Sequence, residues 1–275
     1  MSIINAIFGK FIEIMLLPFR GMNPWAGMLV VSFVTGLLML LIFRYTSNQE
    51  GIRRVKDRIK AHLLEMRLYS DNMRVSFRAQ GSILRANFRY ILLAAKPMLV
   101  MIIPVVLILV QLNFWFGYAS LEPGRPTLLT VKLKESYNPM EIDVSLDSPP
   151  GIEVETPPLR IAEEHEIDWR ISAREPGRYQ LAVLVGKDRM VKTVTAGQTS
   201  LSRISPLRLK GGFLDRMLYP VEAPLDENLP VESIEIRYPS RSLRLLGMNV
   251  HWLVAFFVLS VIFGFAFKGV FGVEI

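Results

Sequence analysis

The chain has 275 residues, a formal charge of +7 and no cysteine, with 51% hydrophobic against 21% charged residues and a mean hydropathy of +0.32. Without cysteine, disulfides, thiolate metal sites and c-type haem attachment are excluded. So much apolar residue beside so much charge fits only if the two are segregated along the chain, and they are.

Residues 1–24 (MSIINAIFGKFIEIMLLPFRGMNP) are apolar but interrupted by Lys10, Glu13 and Arg20. Ile4, Ile7, Phe8, Phe11, Met15 and Leu16 recur at helical spacing. They predict an amphipathic helix lying in a membrane interface. The start carries no charge and no A-x-A site follows, which disfavours a cleavable signal peptide. Pro18 is expected to end the helix, and residues 21–24 to turn the chain.

Three runs without Asp, Glu, Lys or Arg come next: 26–43, 97–118 and 250–267. A hydrocarbon core about 30 Å thick takes ~20 apolar residues as a helix, within a range of ~17–25. The runs therefore predict three transmembrane helices, at 25–43, 97–118 and 250–268.

Between the first two lies a strongly basic segment, 44–96. From Arg44 to Arg89 it holds eleven Lys/Arg (also Arg53, Arg54, Lys56, Arg58, Lys60, Arg67, Arg74, Arg78 and Arg85) against Glu50, Asp57, Glu65 and Asp71. Lys and Arg accumulate in loops that stay cytoplasmic. The segment thus sets an N-out topology, with 119–249 extracytoplasmic and 269–275 a cytoplasmic tail. Residues 119–249 carry seventeen basic and nineteen acidic residues, as suits an exported domain. Trp25, Trp115, Tyr118 and Trp252 fall at the outer ends of the spans, as an aromatic belt should, and Lys268 at an inner end. The expected location is a bacterial inner membrane.

Ile52, Val55, Ile59, His62, Met66, Tyr69 and Met73 occupy heptad a and d positions. Ser70-Asp71 offers a break and a new N-cap. A second helix is expected to follow, with Met73, Phe77, Leu84 and Phe88 facing inward and a kink at Gln80-Gly81-Ser82. The result is a basic helical hairpin about 30 Å long. Arg53, Arg54, Lys56, Arg58, Lys60, Arg67, Arg74 and Arg78 form a candidate docking arm for a ribosome, a partner protein or anionic lipid headgroups. The plain alternative is a solvated helix that only sets topology. His62, on the apolar stripe, reads as a packed residue.

Beyond residue 119 the period changes to two. Leu129, Val131 and Leu133 alternate with polar residues, and so do Ile142 to Leu146, Ile167 to Ile171, Tyr179 to Val185 and Met190 to Val194. Proline-rich turns separate them. This pattern predicts an all-β immunoglobulin-like sandwich over about 121–197. One further strand is expected at 233–238, residues 211–214 and 217–220 read as a loop packed on the sandwich or on the outer leaflet, and 241–249 feed the third span.

Glu163-Glu164-His165-Glu166 contains metal-capable residues but opens a strand, where neighbours point to opposite faces, so an exposed acidic turn is the better reading. No nucleophile–base grouping, P-loop or G-x-G-x-x-G is present. No enzyme activity, cofactor or metal is expected. The high pI belongs to the membrane-flanking loop, so DNA is not an expected partner.

The order of elements over residues 1–118 resembles the core of the YidC/Oxa1/Get1 superfamily of membrane-protein insertases, which includes the third subunit of the ER membrane complex. The resemblance rests on an interfacial helix, Asn23-Pro24-Trp25, and an N-out span ending at Arg44. A basic hairpin follows, then a span with Lys96-Pro97, Pro104 and Gln111. It implies a three-helix core whose polar groove admits hydrophilic client segments, with Arg44 at the groove arginine. Gln111, Asn113, Ser32 and Thr35 are then polar groove candidates. The exported β domain lies between spans two and three, where the simplest members have a short connection. Two functions follow. One is an insertase or chaperone acting on nascent membrane proteins. The other is a non-catalytic accessory subunit of a larger membrane complex, with the β domain as its protein-contact module.

Overall fold

The computed structural model describes residues 3–69, 72–198, 201–245 and 247–274, and only the backbone at residues 3–6 and 213. The N-terminal half is helical and the C-terminal half is mostly β sheet. The chain forms two compact units, Met1–Met28 with Leu107–Leu253, and Leu29–Val106 with Val254–Ile275.

In the first unit, helix α1 (Ile3–Leu16) runs into a 3₁₀ turn at Leu17–Phe19, where Pro18 stops it. Ile12 and Leu16 are buried, whereas Ile7, Phe11, Ile14 and Leu17 are exposed. The expected single stripe is therefore divided: Ile7 and Phe11 face out, Leu16 faces in, and the Ile4 side chain lies outside the described residues.

Helix α2 spans Pro24–Thr46, α3 Gln49–Leu68 and α4 Met73–Leu112. The last turn of α4 opens into a π-helical turn at Asn113–Gly117 that buries Phe114, Trp115 and Phe116. Trp115 and Trp252 are both buried, so these two indoles are packed against protein rather than presented to headgroups as the sequence suggested. Trp25 is half-buried and its Nε1 donates to the Arg244 carbonyl at 2.8 Å.

The strands are β1 (Thr127–Leu133), β2 (Val144–Asp147), β3 (Ile152–Val154), β4 (Leu159–Ile161), β5 (Glu166–Ala173), β6 (Gly177–Val185) and β7 (Asp188–Ala196). Then come β8 (Leu207–Leu209), the short helix α5 (Phe213–Leu218), β9 (Val231–Ile236), β10 (Leu243–Leu245), β11 (Met248–Val250) and helix α6 (Trp252–Phe267). One antiparallel sheet has the order β3-β5-β1-β9-β8, with β4 also on β5; a second has the order β2-β6-β7. Val131 of β1 stands opposite Ile167 of β5 and Ile234 of β9. Inward residues of both sheets, among them Val131, Trp169, Leu181, Val183, Val194 and Ile236, form one apolar cluster.

The β domain therefore does not end near residue 197. Val231, Ile234 and Ile236 are buried while Glu232 and Glu235 are exposed, an alternation that places β9 beside the central β1. In the intervening segment Leu201, Ile204 and Ser205 are buried, and Ile204 belongs to the same apolar cluster. The acidic stretch forms a turn at Ala162–His165, and His165 takes a positive φ of 55°.

One charge is sealed inside this domain. The Lys192 ammonium is fully buried and donates to the Ser205 carbonyl (2.9 Å) and to the Glu222 carboxylate, whose other oxygen accepts the Thr193 N–H at 3.0 Å. Burial pulls the Lys192 pKa below the ordinary lysine value, and Glu222 opposes that shift.

In the second unit, the Asn48 side chain caps α3 by accepting the Gly51 N–H at 2.8 Å. Asn72 does the same for α4, accepting from Val75 at 3.4 Å. The expected break at Ser70-Asp71 lies outside the described residues. Helix α4 is forty residues long and continues through Gln80-Gly81-Ser82, so no break separates the hairpin's second arm from the apolar run. Pro97 and Pro104 sit inside it, leaving the Leu93 and Val100 carbonyls without their usual helical donors.

The inward faces are only half as expected. On α3, Ile52 and Val55 are buried and Ile59, His62 and Met66 half-buried, as the heptad reading requires, but Tyr69, just past the helix, is exposed. On α4 the face is reversed. Met73, Phe77, Leu84 and Phe88 are 64–70% exposed, whereas Ala79 and Ala86 are buried. Small residues let a helix backbone approach a neighbour closely, so the large residues are turned outward. The Glu274 N–H donates to Gln49 Oε1 at 2.7 Å and Lys56 pairs with Glu274 at 3.5 Å, which ties the end of the chain to the start of α3.

Helices α2 and α4 are long and apolar enough to cross a membrane. Helix α6 has sixteen residues, ~24 Å at ~1.5 Å per residue.

Glu222→Gln leaves the Lys192 ammonium buried without its counter-charge. It is expected to destabilise the folded protein by about 3–5 kcal/mol, read by denaturant unfolding in detergent. Lys192→Met with Glu222→Gln removes both charges and is expected to restore most of that loss.

Candidate functional site: an apolar cleft between three helices

The second unit holds a cleft of about 540 Å³ walled by α2, α4 and α6. Helix α2 contributes Thr35, Gly36, Met39, Leu40 and Phe43, and α4 contributes Tyr90, Ile91, Ala94, Met98, Met101 and Val105. The α6 wall includes Phe256, Phe257, Ser260, Val261, Gly264 and Phe265.

Two of the walls are pinned together. A Cβ on Gly36 would stand 2.8 Å from the Ser260 carbonyl and 3.3 Å from the Gly264 nitrogen, so only glycine allows this approach. Phe33 meets Phe263 and Phe267 edge-on, with centroids 5.3 and 5.5 Å apart. These contacts close one side of the cleft. On the third wall, Met98 and Ile91 are exposed.

No charged residue lines the cleft, and its polar groups are the hydroxyls of Thr35, Ser260 and Tyr90. Ser260 Oγ is buried and has no hydrogen-bond partner among the described residues. The volume falls within the range of ordinary ligand pockets, ~300–1,000 Å³. Three methionines in the walls (Met39, Met98 and Met101) supply flexible, polarizable surface that adapts to varied apolar shapes. Such a cleft can hold an apolar helix or acyl chains; it has no group placed for acid–base or nucleophilic work.

The polar residues singled out from sequence are distributed differently from the groove they were expected to form. Thr35 lines the cleft. Ser32, one turn earlier, is fully buried and its Oγ has no partner among the described residues. Arg44 is exposed on the last turn of α2 and does not line the cleft. Gln111 and Asn113 belong to the first unit. Gln111 is buried there and accepts a hydrogen bond from Arg203 Nη2 at 2.8 Å. Asn113 lies against Gly117, where any Cβ would collide with its side-chain oxygen.

Of the docking-arm residues, Arg53, Arg54, Arg58, Lys60, Arg67, Arg74 and Arg78 are exposed, and Lys56 is half-buried in its pairing with Glu274. Arg54 pairs with Glu50 at 3.2 Å and Lys60 with Asp57 at 3.9 Å. Exposed ion pairs of this kind contribute ~0–1 kcal/mol each, so they leave the arm's positive surface largely available. Its arginines on α4, Arg74 and Arg78, bracket the outward Phe77 in sequence, and Arg85 and Arg89 follow the outward Leu84 and Phe88. His62 Nδ1 lies 2.9 Å from the Glu65 carboxylate. Among the described residues, no group of three or more His, Asp or Glu stands together as a metal site.

Sequence reasoning missed Gly36, the methionine walls and Arg203. Gly36 offered only a glycine in an apolar run, and Arg203 lies 92 residues from its partner Gln111. No family model, curated protein or solved structure matches the chain.

Gly36→Ala is expected to destabilise the second unit by roughly 1–3 kcal/mol through overpacking. Gly81→Ala, in the same unit with nothing within 4 Å of its added Cβ, is expected to stabilise by about 1 kcal/mol. Thermal unfolding in a fixed detergent checks both signs.

Proposed function

We propose that the protein is a membrane-embedded chaperone of the YidC/Oxa1 type that shelters an apolar transmembrane segment of a client protein in the cleft between α2, α4 and α6. In this reading α2, α4 and α6 all span a bacterial inner membrane. The N-terminus and the β domain, an immunoglobulin-like sandwich, face outward and the α3–α4 hairpin faces the cytoplasm. The observation that carries it is the cleft itself: about 540 Å³, open, without a charged residue, and lined by three methionines.

The proposed mechanism differs in emphasis from a polar insertase groove. Lipid tails are as apolar as leucine, so a client helix gains little hydrophobic energy by leaving them. It gains dispersion contacts and shape fit instead, and a methionine-rich wall supplies these without demanding one sequence. The exposed arginines of the hairpin would gather acidic or nascent segments at the membrane face before their apolar part enters. Arg44, at the cytoplasmic end of α2, stands where an acidic flank of the client would arrive.

The second reading is an accessory subunit whose cleft is filled permanently by a partner's helix. The exported two-sheet domain favours it, because it supplies a large second surface for a stable complex.

A photo-crosslinking residue in place of Met101, inside the cleft, tests the proposal in living membranes, with Ile103 on the exposed face of α4 as the control position. Adducts to many newly made single-span proteins are expected at Met101. Arg44→Ala or removal of residues 52–78 should lower that yield and slow client insertion. One fixed partner at stoichiometric yield would assign the subunit role instead, and equal labelling at both positions would refute an occupied cleft.

A further inference from the structure

A second concavity, within the first unit, differs from the cleft in every chemical respect. Its volume is about 280 Å³, and its walls include Arg20, Arg178, Arg203, Glu13 and Ser202. Three guanidiniums face one carboxylate. Glu13 is already engaged, with Arg20 at 3.3 Å and Lys10 at 3.6 Å, so positive charge remains in excess.

Two donors are left over. Arg203 spends Nη2 on Gln111, but its Nε is buried with no partner among the described residues. The Ser202 Oγ is buried in the same state. Buried donors without acceptors are costly, and an anionic oxygen offsets that cost. The guanidinium fork suits phosphate geometry, which a lysine would meet only as a point charge. Arg203 is held in place on two sides. Gln111 fixes its tip, and Gly9 of α1 gives it room, because a Cβ there would stand 3.3 Å from Nη2.

The neighbouring surface narrows the ligand. The helix that supplies Glu13 to this pocket carries Ile7, Phe11 and Ile14 exposed along one side, and Leu17 is exposed in the turn that follows. Free phosphate has no use for such a stripe. A lipid does: its phosphate reaches the arginines while its acyl chains follow the apolar side of α1.

We infer that the arginine pocket binds the phosphate of an anionic phospholipid, with α1 as the platform for its tails. The inference rests on the membrane placement proposed above and not on the client cleft.

The test uses the purified full-length chain with native mass spectrometry, titrated separately with phosphatidylglycerol, phosphatidylcholine and inorganic phosphate. One phosphatidylglycerol is expected to be retained in preference to phosphatidylcholine. Arg178→Gln and Arg203→Lys should each weaken it roughly tenfold, the loss expected for one charge-assisted contact. Arg178 is exposed, so its variant does not threaten folding. Arg174→Gln, which removes an exposed arginine paired with Glu153 at 3.0 Å outside the pocket, should change nothing. Equal retention of the two lipids, or displacement of phosphatidylglycerol by equimolar inorganic phosphate, overturns the inference. Membrane flotation of the same samples separates the two levels. A protein that floats but shows no lipid preference loses only the pocket; one that fails to float loses the membrane placement as well.

Discussion

An uncompensated charge in hydrocarbon is so unfavourable that a chain crossing a membrane must sort its charges before it folds. Under the proposed membrane placement, that constraint organises much of this protein. The charge-free runs became α2, the distal part of α4, and α6, and the eleven Lys/Arg of 44–89 sit between the first two. Under the proposed placement, the same sorting fixes which side of the membrane holds the hairpin and which holds the β domain. Inside that domain one charge, the ammonium of Lys192, is fully buried, and the half-buried Glu222 pairs with it.

Sorting also accounts for the character of the cleft. Once the helices are cleared of charge, only hydroxyls remain to make it polar: Thr35, Ser260 and Tyr90. The polarity that the family resemblance led one to expect in a groove is found instead in the first unit, where Gln111 meets Arg203. The two cavities therefore divide apolar and ionic chemistry between them, and the functions proposed for them follow that division.

The parts of this architecture that were legible in the sequence are those set by local period. The alternation in β1, β5, β6 and β7 and the charge-free runs each report their own environment. The heptad stripe of α3 did so too over its first turns, where Ile52 and Val55 are flanked by charged residues. Helix α4 was read backwards because it has two faces that satisfy the same period, one of large residues and one of small. Periodicity cannot say which is turned inward; the closer packing of Ala79 and Ala86 decides it. Strand β9 was seen, but its place beside β1 depends on pairing over about a hundred residues of chain, which no local signal carries. Gln111 was identified as polar in an apolar run, yet its partner Arg203 was out of reach of any spacing argument.

Because the chain has no cysteine, single introduced thiols report sidedness without background. The most direct test of the account places one at Arg58 in the hairpin and one at Asp188 at the start of β7, and labels intact cells with a membrane-impermeant maleimide. The account predicts that the thiol at 188 reacts in intact cells once the outer envelope is permeabilised, and that the thiol at 58 reacts only after the inner membrane is opened. Reaction of both thiols from the same side would contradict it.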